Sequence, residues 1–310
     1  MRSFLKFMMA GTVLAMSSTA IPAQQGPAVT VTVTAMGKDK SAPPPIPANE
    51  VVVRLDNKVR PIVSWVPSQG GGAGLDLAIV VDDSITPRAA DRWSEMQSFV
   101  RSLPAETRVG VAYADYGATH FEQDFTTTHE QAAKAFRIPS ALSGSTNGTF
   151  DAVRDLIKKW PATRSRREIL LISSGIDLDN GVSDTDPNRN MELQSLIDEA
   201  ERSGIVIYTI YASSPGPESH NAFLVMNGQG CLGRLAAETG GDAFFQGLET
   251  PVSFQPFLDE IHTLLGQQYL LTFTAEPRPK PDFSHLKVIP ESHSIQLIAP
   301  DHVYISGGGK

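Results

Sequence analysis

The sequence holds 310 residues (33.4 kDa), of which 41% are hydrophobic, 19% charged and 7% aromatic, and its formal net charge is −8. At roughly 150 residues per domain this is chain enough for two domains, or one large domain with an appendage, and the composition excludes a disordered or collagen-like protein. The densest basic run is Arg164-Ser165-Arg166-Arg167, so an acidic chain carries no electrostatic footprint for nucleic acid.

The chain opens with Arg2 and Lys6, an apolar run over residues 7–16, and small residues up to Ala23. That order predicts a secretory signal peptide over 1–23, cut after Ala23, and an exported product, periplasmic or extracellular. The apolar run is short for a membrane span and no later segment approaches about 20 apolar residues, so no span is expected. Removing Arg2 and Lys6 leaves 24 Lys+Arg against 34 Asp+Glu, a mature charge of −10. Cys231 is the only cysteine; it excludes an internal disulfide and reads as a small residue leading a helix. Seven scattered histidines without an H-x-x-x-H spacing give no zinc site.

Residues 24–67 read as a β segment. Residues 28–35 (AVTVTVTA) alternate with period two, and 51–55 and 59–66 form two further strand patterns around Asp56-Asn57. A proline-rich connector, 41–47, lies between them. Residues 68–74 (SQGGGAG) form a flexible linker; its glycines precede a strand instead of following one, which rules out a phosphate-cradling loop.

From 75 to 267 the pattern becomes short apolar runs (77–81, 109–113, 169–172, 205–211) alternating with helical stripes. The stripes are Trp93/Met96/Val100/Leu103, Phe150/Val153/Ile157/Trp160 and Leu193/Leu196/Ala200. A strand at 243–245 and an amphipathic helix from Phe254 to Leu265 close the region. Residues 268–310 return to short alternating strands (268–274, 285–289, 294–298, 302–305) and a Gly-rich tail. The expected fold is α/β: a doubly wound, mostly parallel, Rossmann-like sheet with a small all-β appendage built from both chain ends. The competing arrangement makes 24–74 an arm that orders only on a partner.

In such a sheet ligands bind beyond the carboxyl ends of the strands. After the first buried run come Asp82-Asp83-Ser84-Ile85-Thr86, an acid and two hydroxyls at alternate positions, able to turn three oxygens toward one hard cation. Here the chain resembles the von Willebrand factor A domain, whose metal-ion-dependent adhesion site begins with D-x-S-x-S after the first strand. The resemblance implies metal ligands at Asp82, Ser84 and Thr86, with Thr146 of Gly144-Ser145-Thr146-Asn147 as a fourth. Where the family has an Asp before a Gly, this chain has Ser174 in Ile172-Ser173-Ser174-Gly175. One carboxylate then serves in place of two, which implies weak Mg²⁺ or Mn²⁺ binding. Asp177 and Asp179 lie close enough in sequence for Asp177 to reach in through water, or to shape a turn before a helix.

Further resemblance to exported bacterial von Willebrand A-related proteins lies in Arg234–Phe245 (RLAAETGGDAFF) and Gln268-Tyr269-Leu270-Leu271. It implies a non-enzymatic adhesion module that binds a protein partner, through an acidic side chain of that partner, by the loops around Asp83, Asn147 and Asp177. The alternatives are a metal-free scaffold with a dead metal site and, more remotely, a haloacid-dehalogenase-like phosphatase with Asp82 as nucleophile. That enzyme needs a general acid at position 84, and Ser84 cannot supply the proton. A serine hydrolase lacks its G-x-S-x-G elbow.

Overall fold

The computed structural model describes residues 26–38, 41–68, 74–141, 148–163 and 165–307. The expected signal peptide, most of the glycine linker, Thr146 and Asn147 lie outside the described residues. No helix among the described residues is long and apolar enough to cross a membrane.

The central sheet has six strands: β5 (Leu75–Asp82), β6 (Arg108–Asp115), β7 (Ala118–Thr126), β8 (Arg166–Ser173), β9 (Ile205–Tyr211) and β10 (Ala243–Phe244). Their order is β10-β9-β8-β5-β6-β7, and every pairing is parallel except that of the edge strand β7 with β6. Side chains alternate faces along a strand, so β5 divides its residues between two cores. Leu77, Ile79 and Val81 pack with helices α1 (Trp93–Ser102), α2 (His129–Lys134) and α6 (Gln255–Gly266). Ala78 and Val80 pack with α3 (Thr149–Lys158), α4 (Met191–Ser203) and α5 (Ala222–Thr239). Burial on both faces is why the central strands read as continuous apolar runs.

The chain ends build a second core. Strands β1 (Ala28–Gly37), β4 (Ile62–Pro67), β11 (Gln268–Thr274) and β13 (Ile295–Ile298) form one antiparallel sheet, β13-β1-β11-β4. Strands β2 (Val51–Leu55), β3 (Lys58–Arg60), β12 (Asp282–Pro290) and β14 (His302–Ile305) form the other, β14-β12-β2-β3. Val31, Val33, Val53, Leu271, Phe273, Leu286 and Val303 are buried between them. The proline-rich connector lies on a stacked pair, Trp65 and Tyr269 (ring centroids 4.4 Å apart): Trp65 Nε1 donates to the Ile46 carbonyl (2.8 Å), and the Ile46 N–H donates to the Tyr269 hydroxyl (3.0 Å).

Three local expectations change. Residues 59–66 are two strands instead of one, because Pro61, without an N–H to give a ladder, divides them and sends β3 and β4 into different sheets. Strand β7 (ATHFEQDFT) carried no apolar-run signal; as an edge it is half-exposed and alternates charged with aromatic residues. Cys231 does not lead its helix. It is buried in the middle of α5, which starts nine residues earlier under an Asn221 cap whose side chain accepts from the Phe223 N–H (3.1 Å).

The glycines that disguise α5 have a packing reason. A Cβ on Gly228 would run into the Ser174 carbonyl oxygen, and one on Gly175, at φ +64°, would run into the Gly228 carbonyl oxygen. Helix and strand-end backbone therefore meet directly.

The β unit sits against the amino ends of the central strands. Gln268 Nε2 donates to the buried carboxylate of Glu168 on β8 (3.1 Å) and to the Tyr208 hydroxyl on β9 (3.0 Å). Glu168 also pairs with Arg166 (3.2 Å). At the C-terminal turn of α4, the Glu201 carboxylate accepts from the His302 N–H (3.1 Å), and the Asp301 N–H donates to the Glu238 carbonyl of α5 (2.9 Å).

Candidate functional site at the carboxyl rim of the sheet

The chain leaves β5 for β6 on one side and returns, after β7 and α3, to β8 on the other. The strand ends of β5 and β8 therefore flank the point where strand order reverses. Asp82 is the last residue of β5 and Ser173 the last of β8. The Asp82 carboxylate gathers hydroxyls: Ser84 Oγ donates to Oδ1 (2.5 Å), the Ser84 N–H donates to the same oxygen (2.9 Å), and Ser173 Oγ donates to Oδ2 (2.7 Å). Asp82, Ser84 and Ser173 are all buried.

The serine that reaches Asp82 is Ser173. Ser174, one residue on, is fully buried, and its Oγ accepts from the Ile176 N–H (3.3 Å). Ser173 Oγ in turn accepts from the Gly175 N–H (3.0 Å). The signal that could have singled out Ser173 is register: Val81 pairs with Ile172, which sets Asp82 beside Ser173.

Thr86 makes a contact of its own. Its N–H donates to the Ser213 carbonyl at the end of β9 (2.8 Å), and its half-buried side chain lines an open cleft of about 750 Å³ with Arg88, Ser213, Ser214 and Thr250. Ser213 Oγ and Thr250 Oγ1 are 2.8 Å apart. The sequence reading missed this second group of hydroxyls, because residues 213–214 and 250 come together only when β9 and the loop after β10 are neighbours.

Asp83 is tied into the fold. Arg137 donates to both its oxygens (2.7 and 3.1 Å), and Ser140 donates from its N–H to Oδ1 (2.8 Å) and from its Oγ to Oδ2 (2.9 Å). Burial alone would raise this carboxyl, but the hydrogen bonds of Arg137 and Ser140 prevail and hold it below its ordinary value. The Arg137 guanidinium lies 3.8 Å over the Tyr113 ring and also pairs with Glu122 (2.7 Å). Asp83 thus clamps the loop before α3 onto β5 and β6.

Asp177 is 6% exposed; its Oδ1 accepts from the Asp179 N–H (3.0 Å), the turn-shaping role. Burial, and after it the charges of Asp179, Glu192 and Asp151, push it up to about 6. Among the described residues no three His, Cys, Asp or Glu side chains converge as a metal site. The donors around Asp82 are hard oxygens of the type Mg²⁺ or Mn²⁺ takes, with a single negative charge among them.

Around this polar centre the rim is apolar. Among the described residues twelve large hydrophobic side chains are exposed; eight of them follow the carboxyl ends of the parallel strands, and Ile138 is brought to the same end by the Asp83 contacts of its loop. Tyr116 is in the turn after β6, and Ile138 is in the loop clamped by Asp83. Val182 and Met191 come after β8, and Phe223 and Met226 open α5 after β9. Phe245, Leu248 and Val252 follow β10.

Six strands with one antiparallel edge, three helices to a face and an Asp-x-Ser-x-Thr loop at the reversal point match the fold that the sequence resemblance implies. The central domain has a von Willebrand A-like fold. No protein-family profile matches the chain, and neither does any curated protein. Solved structures similar to this A-like protein include an aerotolerance-related membrane protein from Bacteroides fragilis bearing multiple mutations to serines (14% identity, TM-score 0.43, covering 62% of this chain and 98% of that one). Others are the ArnB paralog VWA2 from Sulfolobus acidocaldarius (10%, 0.40, 91% and 76%) and the SpRpn10 VWA domain (10%, 0.41, 60% and 93%).

Proposed function

We propose that the protein is an exported, non-enzymatic binding module whose A-like domain takes a partner protein on the carboxyl rim of its sheet. The observation that carries this reading is the concentration of exposed large apolar side chains in the segments that follow the central strands, at the end of the sheet where Asp82, Ser84 and Ser173 are gathered, since exposed apolar surface marks interaction sites on soluble proteins. Asp82, Ser84 and Thr86, with Thr146 as the resemblance implies, would hold Mg²⁺ or Mn²⁺, and the ion would supply an electrophilic contact for a partner carboxylate. A lone carboxylate makes that binding weak.

The reading is tested with a photo-crosslinking residue placed in turn at Tyr116, Val182 and Val252, with Val63 and Ile289 on the β unit as controls. Crosslinks to one partner from the rim positions alone are expected. Crosslinks absent from the rim, together with phosphate-ester hydrolysis lost in Asp82→Asn, would replace the module with a phosphatase. Calorimetric titration of Mg²⁺ into wild type and Asp82→Asn reads the metal separately: weak heat in the first and none in the second is expected. No heat in either leaves the metal-free scaffold.

A further inference from the structure

The rim is not uniform. Residues 176–192, from the end of β8 into the first turn of α4, carry Asp177, Asp179, Asp184, Asp186 and Glu192 against one base, Arg189. Asp177 Oδ2 is buried without a hydrogen-bond partner, and Asp179, Glu192 and Asp151 face it closely enough to oppose its ionisation. Asp179 is raised in the same way, by burial and then by Glu192 and Asp151. Of these, Asp151 has its own cation, Arg154, at 2.5 Å, while Glu192 accepts only from the Asn180 amide (2.8 Å). The shoulder thus holds mutually repelling carboxylates; Arg234, which donates to the Pro187 carbonyl of the same loop (2.7 Å), is paired with Glu238 (2.7 Å), so a further cation would relieve them.

The same shoulder exposes four large apolar side chains: Val182 (57% exposed), Met191 (68%), Phe223 (59%) and Met226 (64%). They stand on three elements that are fixed to one another. Asn227 Nδ2 donates to Thr185 Oγ1 (2.9 Å), Cys231 Sγ donates to the Thr185 carbonyl (3.4 Å), and Asn180 ties the loop to α4. Two methionines and a phenylalanine make an apolar patch that adapts to its ligand.

We propose that this shoulder is the docking surface for a basic amphipathic helix of the partner, its apolar face on Phe223, Met226, Met191 and Val182 and its Lys/Arg face toward Asp179 and Glu192, which stand over the buried Asp177. The proposal rests on the reading of the rim as a protein-binding face and names the chemistry of what it binds. Charge decides against the other occupants: a chain with a net charge of −8 repels a second copy of itself at an acidic shoulder, and repels an anionic lipid surface equally. A helix with basic and apolar faces satisfies both halves of the patch at once.

The test uses the full chain and a fluorescent synthetic helix of leucine and lysine, beside a leucine/glutamate counterpart and a lysine-only peptide. Saturable binding of the Leu/Lys helix is expected. It should weaken about tenfold in Asp179→Asn/Glu192→Gln, and about as much in Phe223→Ser/Met226→Ser. The exposed control pair Glu106→Gln/Asp282→Asn should leave it unchanged. All four substituted residues lie on the surface, so unchanged melting curves certify the fold. Equal weakening by the control pair, equal binding of the lysine-only peptide, or sedimentation showing self-association lost in Phe223→Ser/Met226→Ser would each overturn the proposal. Rim crosslinks that persist in both shoulder variants would overturn it too and leave the binding module standing; rim crosslinks absent from wild type would remove the module itself.

Discussion

The two ends of the central sheet solve opposite problems. At the amino end the charged groups Asp76, Arg166 and Glu168 are buried, and the chain closes over them with its own β unit through Gln268. At the carboxyl end the polar groups are gathered around Asp82, and most of the exposed large apolar side chains stand around them uncovered. A doubly wound sheet offers both ends to solvent; here one is spent on holding the protein together and the other is left for something else to cover. The difference separates residues whose loss unfolds the chain from residues whose loss leaves it folded.

The sharpest test of this contrast is Arg166→Ala, which strips Glu168 of its cation inside the amino end. Uncompensated buried charge costs about 3–5 kcal/mol, so chemical denaturation should show a larger loss for this variant than for Gly175→Ala or Arg137→Ala. Gly175→Ala comes next, at about 3 kcal/mol. Its Cβ would press on the Gly228 carbonyl oxygen from a left-handed backbone, and the same denaturation curve reads that loss. Arg137→Ala removes both hydrogen bonds to Asp83, but Arg137 is partly solvated, so about 1–2 kcal/mol is expected, read in the same way. Loss from that variant as large as from Arg166→Ala would erase the distinction between the two ends.

The subtlest readout is a slope with pH. Glu201, packed among His302 and Asp301 of the β unit and Glu238 and Asp198 of neighbouring helical turns, is pushed up to about 8 from its ordinary 4.5, chiefly by burial. Its folded value is higher than its unfolded one, so its contribution is fully present below about 4.5 and is lost as pH rises through about 8. Docking of the β unit should weaken over that window, and Glu201→Gln should flatten the slope of stability against pH. An unchanged slope in the variant would assign the dependence elsewhere.

Much of the fold was legible because burial on both faces writes itself into sequence. Residues 77–81 and 205–211 could hardly be anything but central strands, and the stripe Trp93/Met96/Val100 faces one side of α1 as its spacing demands. Strand β7 was not legible, since an edge needs no apolar run, and neither was the start of α5, where Asn227-Gly228-Gln229-Gly230 imitates a turn while serving a backbone contact with residues far away in sequence. At the site, the alternation of Asp82, Ser84 and Thr86 pointed to the right loop. It could not say that Ser173 would face Asp82, which depends on strand register, nor that Asp83 would be taken by Arg137, 54 residues away. Local spacing identifies donors; only tertiary pairing decides which of them meet.

The pairing of β1 with β11 also sets a clock. Thr34 lies opposite Gln268, so 234 residues of chain must be made after the first partner before the second exists. At about 5–20 residues per second this is a wait of roughly 10–50 s, during which an alternating Val/Thr strand has no mate. The A-like domain between them has its own complete sheet and can form first, leaving the amino-terminal strand to be captured last. A chaperone that shields residues 28–37 in that interval would raise the yield of folded protein without touching its final stability, because the hazard belongs to the order of events and vanishes once β11 arrives.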